Sequence, residues 1–120
     1  MNAKTLFMCA LTISVSLIGA PALAANSWIT SAILDILVQD DGTAGASGLV
    51  QVTMPTNMTY VPSCHTGALN TFYVDLSRAA SKSQLSMLLV ASAAGKNVTI
   101  ALNESCIGGI ALLRNVDFAP

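Results

Sequence analysis

The sequence predicts a mainly β domain with one helix, an α+β fold, and three observations carry that prediction. Five apolar-rich segments read as strands, four of them by period-two alternation; the period turns helical only once, at Leu85, Leu88 and Leu89; and glycine- or proline-bearing stretches separate the segments.

The chain opens on a segment that does not belong to this domain. Lys4 supplies a positive charge, Leu6 to Ala20 form an uncharged and mostly apolar run, and Pro21-Ala22-Leu23-Ala24 supplies a helix breaker and small residues. Charge, apolar core and small-residue site in that order read as a secretory signal. The apolar run is shorter than the roughly 20 residues of a spanning helix, so a signal over residues 1–24, cleaved after Ala24 or Ala25, is expected instead of a membrane anchor. Cys9 leaves with it. The remaining residues 25–120 suffice for one small domain, placed in the periplasm or outside a bacterial cell.

The first strand is expected from Trp28 to Val38. Its alternation is imperfect, because Ile33, Leu34, Ile36 and Leu37 put apolar groups on both faces; a strand bending across two sheet layers needs that, and so does a buried helix. Asp40-Asp41-Gly42 and the glycines after it form a turn-rich loop. Leu49 to Met54 alternates, with Val50, Val52 and Met54 inward, until Pro55 ends it. Residues 55–70 carry two prolines and little periodicity, a long loop of the kind that is functional or pinned. Thr71 to Leu76 alternates again, with Tyr73 and Asp75 outward.

A helix is expected over 79–94. Ser81-Lys82-Ser83-Gln84 fits a capping box, with Ser77 a competing cap, and Leu85, Leu88 and Leu89 make its core stripe. Ser92 breaks that stripe and can bond back to the Leu88 carbonyl, and Gly95 stops the helix. Val98, Ile100 and Leu102 mark the fourth strand, and the chain turns at Cys106-Ile107-Gly108-Gly109. In the fifth strand Ile110, Leu112, Arg114, Val116 and Phe118 share one side. The order β-β-β-α-β-β is that of the OB-fold, so a five-stranded OB-like barrel is expected.

Cys64 and Cys106 are an even pair in an exported chain and read as a disulfide. In the chain-entropy model, closing a segment of this length stabilises by about 4 kcal/mol. Four basic residues (Arg78, Lys82, Lys96, Arg114) stand against Asp35, Asp40, Asp41, Asp75, Glu104 and Asp117 in the expected mature chain. With no basic run, nucleic acid is not an expected partner, nor is a membrane surface once the signal is gone.

No catalytic constellation, metal site or cofactor motif stands out, and the domain is read as non-catalytic. The single histidine, His65, reads as an exposed loop residue beside a bridge in preference to a catalytic base. Asp40-Asp41 lacks the spacing of a calcium loop. Trp28, Tyr60 and Tyr73, with His65, are the candidate binding surface for a sugar or protein, weighed against core packing or incidental exposure. Met87, Val90 and Ala94 give the helix a second apolar face, the candidate surface for self-association.

The stretch Gln84 to Ile100, QLSMLLVASAAGKNVTI, followed by Cys106 and the closing strand, resembles a group of short secreted bacterial proteins. More distantly it is similar to the receptor-binding B subunits of subtilase cytotoxin and typhoid toxin. Trp28 at the start of the mature chain is also similar. The resemblance covers the C-terminal half well and the first half only by pattern. It implies a disulfide-stabilised OB-fold, assembly into pentamers and binding of sialylated glycans. The serine- and tyrosine-bearing pocket motifs of those subunits have no match here, so no sugar-contacting residue carries over. The expectation is therefore a binding module for a glycan or protein; the alternative is an inhibitor of an extracytoplasmic hydrolase acting through the 55–70 loop.

Overall fold

The computed structural model describes residues 28–40 and 48–120. The expected signal over 1–24, Cys9, and Asp41-Gly42 lie outside the described residues. The fold is mainly β with one helix: β1 (Ile29–Ser31), β2 (Asp35–Gln39), β3 (Leu49–Thr53), β4 (Thr71–Asp75), α1 (Ser81–Ala94), β5 (Val98–Ile107) and β6 (Ile110–Phe118).

The expectation of five strands in a barrel is corrected. Six strands form one sheet in the order β1-β5-β6-β4-β3-β2, and its hydrogen-bond ladder is open, with β1 and β2 as edges. Every pairing is antiparallel except that of β4 with β6, which meet in parallel at Tyr73 and Leu112. The expected first strand breaks at residues 32–34. Its front part, β1, pairs with β5, and its rear part, β2, pairs with β3. The Leu34 N–H bonds the Thr53 carbonyl (2.8 Å) beside the Asp35–Thr53 pair, so two residues of one strand face one of the other, a bulge at the break. The apolar groups on both faces of this segment thus belong to two strands. The two edges of the sheet are three residues apart in sequence, a reach of roughly 14 Å. Five flat strand spacings span about 24 Å, so the sheet must curl.

The concave side holds the core: Val50, Val52, Met54, Phe72, Val74, Val98 and Ile100 are fully buried, joined by Leu88 and Ala91 of α1. β3 buries every second residue as the alternation predicts, and β4 does so from Phe72 on, with Thr71 also buried at its start. β6 does not keep one face. Ala101 pairs with Asn115 and Leu102 with Leu113, which leaves Arg114 as an extra residue. Ala111 and Leu113 therefore enter the core before the bulge and Val116 packs on it after, in place of the expected row through Leu112 and Arg114. The carbonyls around the bulge find side-chain donors: Arg78 Nη1 to Leu113 O (3.4 Å) and Gln84 Nε2 to Arg114 O (2.6 Å).

Those bonds also explain why the expected capping box is not formed. Ala80 occupies the cap without a side-chain bond, Gln84 is committed to Arg114, and the buried Ser81 hydroxyl donates to the Asp75 carbonyl. The stripe runs through Leu85, Leu88 and Ala91, while Leu89 is 50% exposed, contrary to expectation. The hydroxyl that bonds back along the helix is that of Ser86, to Lys82 O. Gly95 ends the helix with φ +63°; its N–H reaches Ser92 O and that of Lys96 reaches Ala91 O, the paired bonds of a left-handed C-terminal cap.

Candidate functional site

The loop between β3 and β4 carries no strand or helix, yet it is fixed at many points. Cys64 and Cys106 form a disulfide with a Cα–Cα distance of 5.9 Å, joining the loop to the end of β5. The N–H groups of Thr66 and Gly67 both donate to the Gly109 carbonyl (2.8 and 3.1 Å) in the β5–β6 turn. Tyr60 Oη donates to Glu104 Oε1 (2.9 Å), and the Thr56 hydroxyl bonds that of Ser31 on β1 (3.0 Å). At the base, Met58 N–H bonds Leu69 O, Met54 N–H bonds Asn70 O, and Asn70 Nδ2 returns a bond to Met54 O. Met58 and Pro62 are buried beneath.

His65 is not the exposed residue expected. It is buried, and both ring nitrogens are bonded: Nδ1 accepts the Ala111 N–H (3.1 Å) and Nε2 lies 3.0 Å from Ala68 O. An acceptor Nδ1 fixes the tautomer, so Nε2–H donates to Ala68. The imidazole therefore satisfies an N–H of β6 that the alternation from the Ile107–Ile110 pair turns away from β5, and neither nitrogen is left to serve as a base.

The partner turn is shaped for this clasp. Ile107 pairs with Ile110 across Gly108-Gly109, whose φ values are +57° and +78°, the two-residue hairpin that needs positive φ at both centres. A Cβ on Gly109 would also strike Thr66 Oγ1, and one on Gly67 would strike Ile110 Cδ1. Opposite the clasp β5 is irregular: register passes from Leu102–Leu113 to Cys106–Ala111, so Asn103, Glu104 and Ser105 bow out over a single β6 residue. That bow places Glu104 under Tyr60. The Glu104 hydrogen bond, then partial burial, then the carboxylate's charge hold the Tyr60 phenol above its ordinary pKa.

The expected aromatic surface is dispersed. Trp28 is 48% exposed at the head of β1, next to the Ile29–Ile100 pair, and Tyr60 reaches the same strand, β5, further along. Tyr73 is half-buried on β4, level with Gln51, and β6 and β5 separate its strand from β1. On α1, Val90 and Ala94 are exposed and Met87 is half-buried. Glu104, the Gly109 carbonyl and the Ala111 N–H are contacts that sequence reasoning did not reach; of these only the Gly-Gly turn left a signal.

Neither a family model, a curated protein nor a solved structure matches the chain. The bridge points to an oxidising compartment outside the cytoplasm. Among the described residues no helix is long and apolar enough to cross a membrane.

Proposed function

We propose that the protein is an exported, non-catalytic binding module whose recognition element is the loop over residues 55–70. The observation that carries this reading is the bracing of that loop by a disulfide, a buried histidine and hydrogen bonds to β1, β5 and the β5–β6 turn. Ordering a free loop on binding costs about 0.5–1.5 kcal/mol for each immobilised side chain; a loop ordered beforehand avoids most of that. Its outward residues include Thr56, Asn57, Thr59, Thr66 and Leu69, a mixed polar and apolar rim suited to a glycan or a protein surface. Its one cysteine is held in the bridge and both nitrogens of its imidazole are bonded within the fold, which favours binding over chemistry.

The same reading takes the open sheet as one that keeps an OB-like strand order although it is not a closed barrel. β2, β3 and β4 run consecutively, β6 and β5 follow, β1 returns beside β5, and the helix falls between β4 and β5. That arrangement favours a distant kinship with toxin B subunits. Hydrolase inhibition through the same loop is a second reading, favoured by Leu69, an apolar side chain exposed on it. Glycan-array binding by the oxidised protein that is lost in Tyr60→Ala supports the first ligand class. Inhibition of a purified lysozyme or secreted protease that is lost in Leu69→Asp supports the second. Binding or inhibition indifferent to every substitution in 55–70 refutes the assignment of the loop.

A further inference from the structure

β2 is an open sheet edge with a self-complementary face. It pairs only with β3, and nothing among the described residues pairs along its other side. Which of its backbone groups are free follows from the ladder. The Met54 and Leu76 N–H groups bond the Asn70 and Gly48 carbonyls, so the even-numbered residues of β3 bond β4. Antiparallel strands alternate their bonding sides. The odd-numbered residues of β3 therefore bond Asp35, Leu37 and Gln39, and the N–H and C=O groups of Ile36 and Val38 point away from the sheet.

Edges of this kind are usually blunted by lysine, proline or a covering element. This one carries none of the first two, and its side chains are apolar in the open: Leu37 is 48% and Val38 65% exposed. Antiparallel pairing of β2 with a second β2 about a two-fold axis at Leu37 satisfies all four free groups. Ile36 of each copy then faces Val38 of the other in a hydrogen-bonded pair, and the two Leu37 side chains meet in the closer, non-hydrogen-bonded pair. The same register sets Asp35, the strand's one charge, against Gln39 and keeps the two aspartates apart. Parallel pairing would bring like charges together.

We infer that β2 is the self-association surface of this protein, joining two copies into one continuous twelve-stranded sheet through an isologous contact. The exposed helix face of Val90 and Ala94 is then not the contact. The inference does not depend on the loop reading above, because it uses only groups of β2, which β3 and β4 separate from the β5–β6 clasp.

Sedimentation of the oxidised protein tests it. A dimer is expected at tens of micromolar, and Val38→Lys, which leaves the sheet's internal bonds intact, is expected to raise its dissociation constant at least tenfold while Val90→Lys leaves it unchanged. Gln39→Lys places a cation against Asp35 twice per dimer and should tighten association about twofold or more at low salt. The Gln39→Lys arm reads association gained, so a misfolded Val38 variant cannot mimic support. A monomer at all concentrations, a closed ring of three or more copies, or a dimer broken by Val90→Lys and not by Val38→Lys overturns the inference.

Discussion

Two regions of one sheet, an interior hairpin and an edge strand, are finished in opposite ways. At the β5–β6 turn, an irregular loop is tied down by a covalent bridge, a buried imidazole and backbone bonds to Gly109. At β2, a regular strand with apolar side chains in solvent lacks any second-side partner among the described residues. Regular secondary structure and rigidity are therefore separate properties in this molecule. The loop gains order from specific polar and covalent anchors; the strand has backbone regularity and a vacant side. The first suits recognition of a foreign ligand, the second pairing with its own kind.

The contrast breaks most completely if the bridge is removed. Cys64→Ser with Cys106→Ser is expected to cost about 4 kcal/mol of stability from restored unfolded-chain entropy, measured by urea unfolding, with the loss of order confined first to residues 55–70 and the β5–β6 turn. Next in size is the histidine. His65→Ala strands the buried Ala111 N–H, a loss of about 1–3 kcal/mol, whereas His65→Asn offers an oxygen near the Nδ1 position and should recover part of it. Equal losses in the two variants would mean that packing, not the hydrogen bond, is what His65 supplies.

The edge strand should be nearly indifferent. Val38→Lys is a substitution at an exposed edge and is expected to change monomer stability by no more than about 0.5 kcal/mol, whatever it does to association. The smallest effect concerns Tyr60. Its folded pKa lies above the unfolded one because Glu104 accepts the phenol's proton-bearing hydroxyl. Stability from that pair is present below the unfolded-chain value near pH 10 and is lost as pH rises through the folded value. Thermal unfolding between pH 9 and 11 should show the wild type losing more than Tyr60→Phe over that window.

How much of this was legible in the sequence depends on the range of the cause. Alternation at Val50, Val52, Phe72 and Val74 reports a local face, and β3 and β4 match it. The bridge was legible because, with Cys9 read as part of a signal, the other two cysteines leave one pairing. Gly95 was legible because only its own φ is at issue. The bulge at Arg114 was not, since a bulge is set by the partner strand's register and the residue itself gives no sign. The capping box failed for the same kind of reason: Gln84 had a local partner in prospect and took a distant one, the Arg114 carbonyl. His65 was misread because a histidine in a Pro/Gly-rich loop carries no mark of the strand it will meet 46 residues later.

Amide-resolved hydrogen exchange on the oxidised protein at low concentration tests the central contrast most directly. The hydrogen-bonded amides of Met58, His65, Thr66 and Gly67 should be protected to the same order as Ala111 in β6, while Ile36 and Val38 exchange fast. Loop amides that exchange like those of a free chain, with Ile36 and Val38 protected in the monomer, would contradict it.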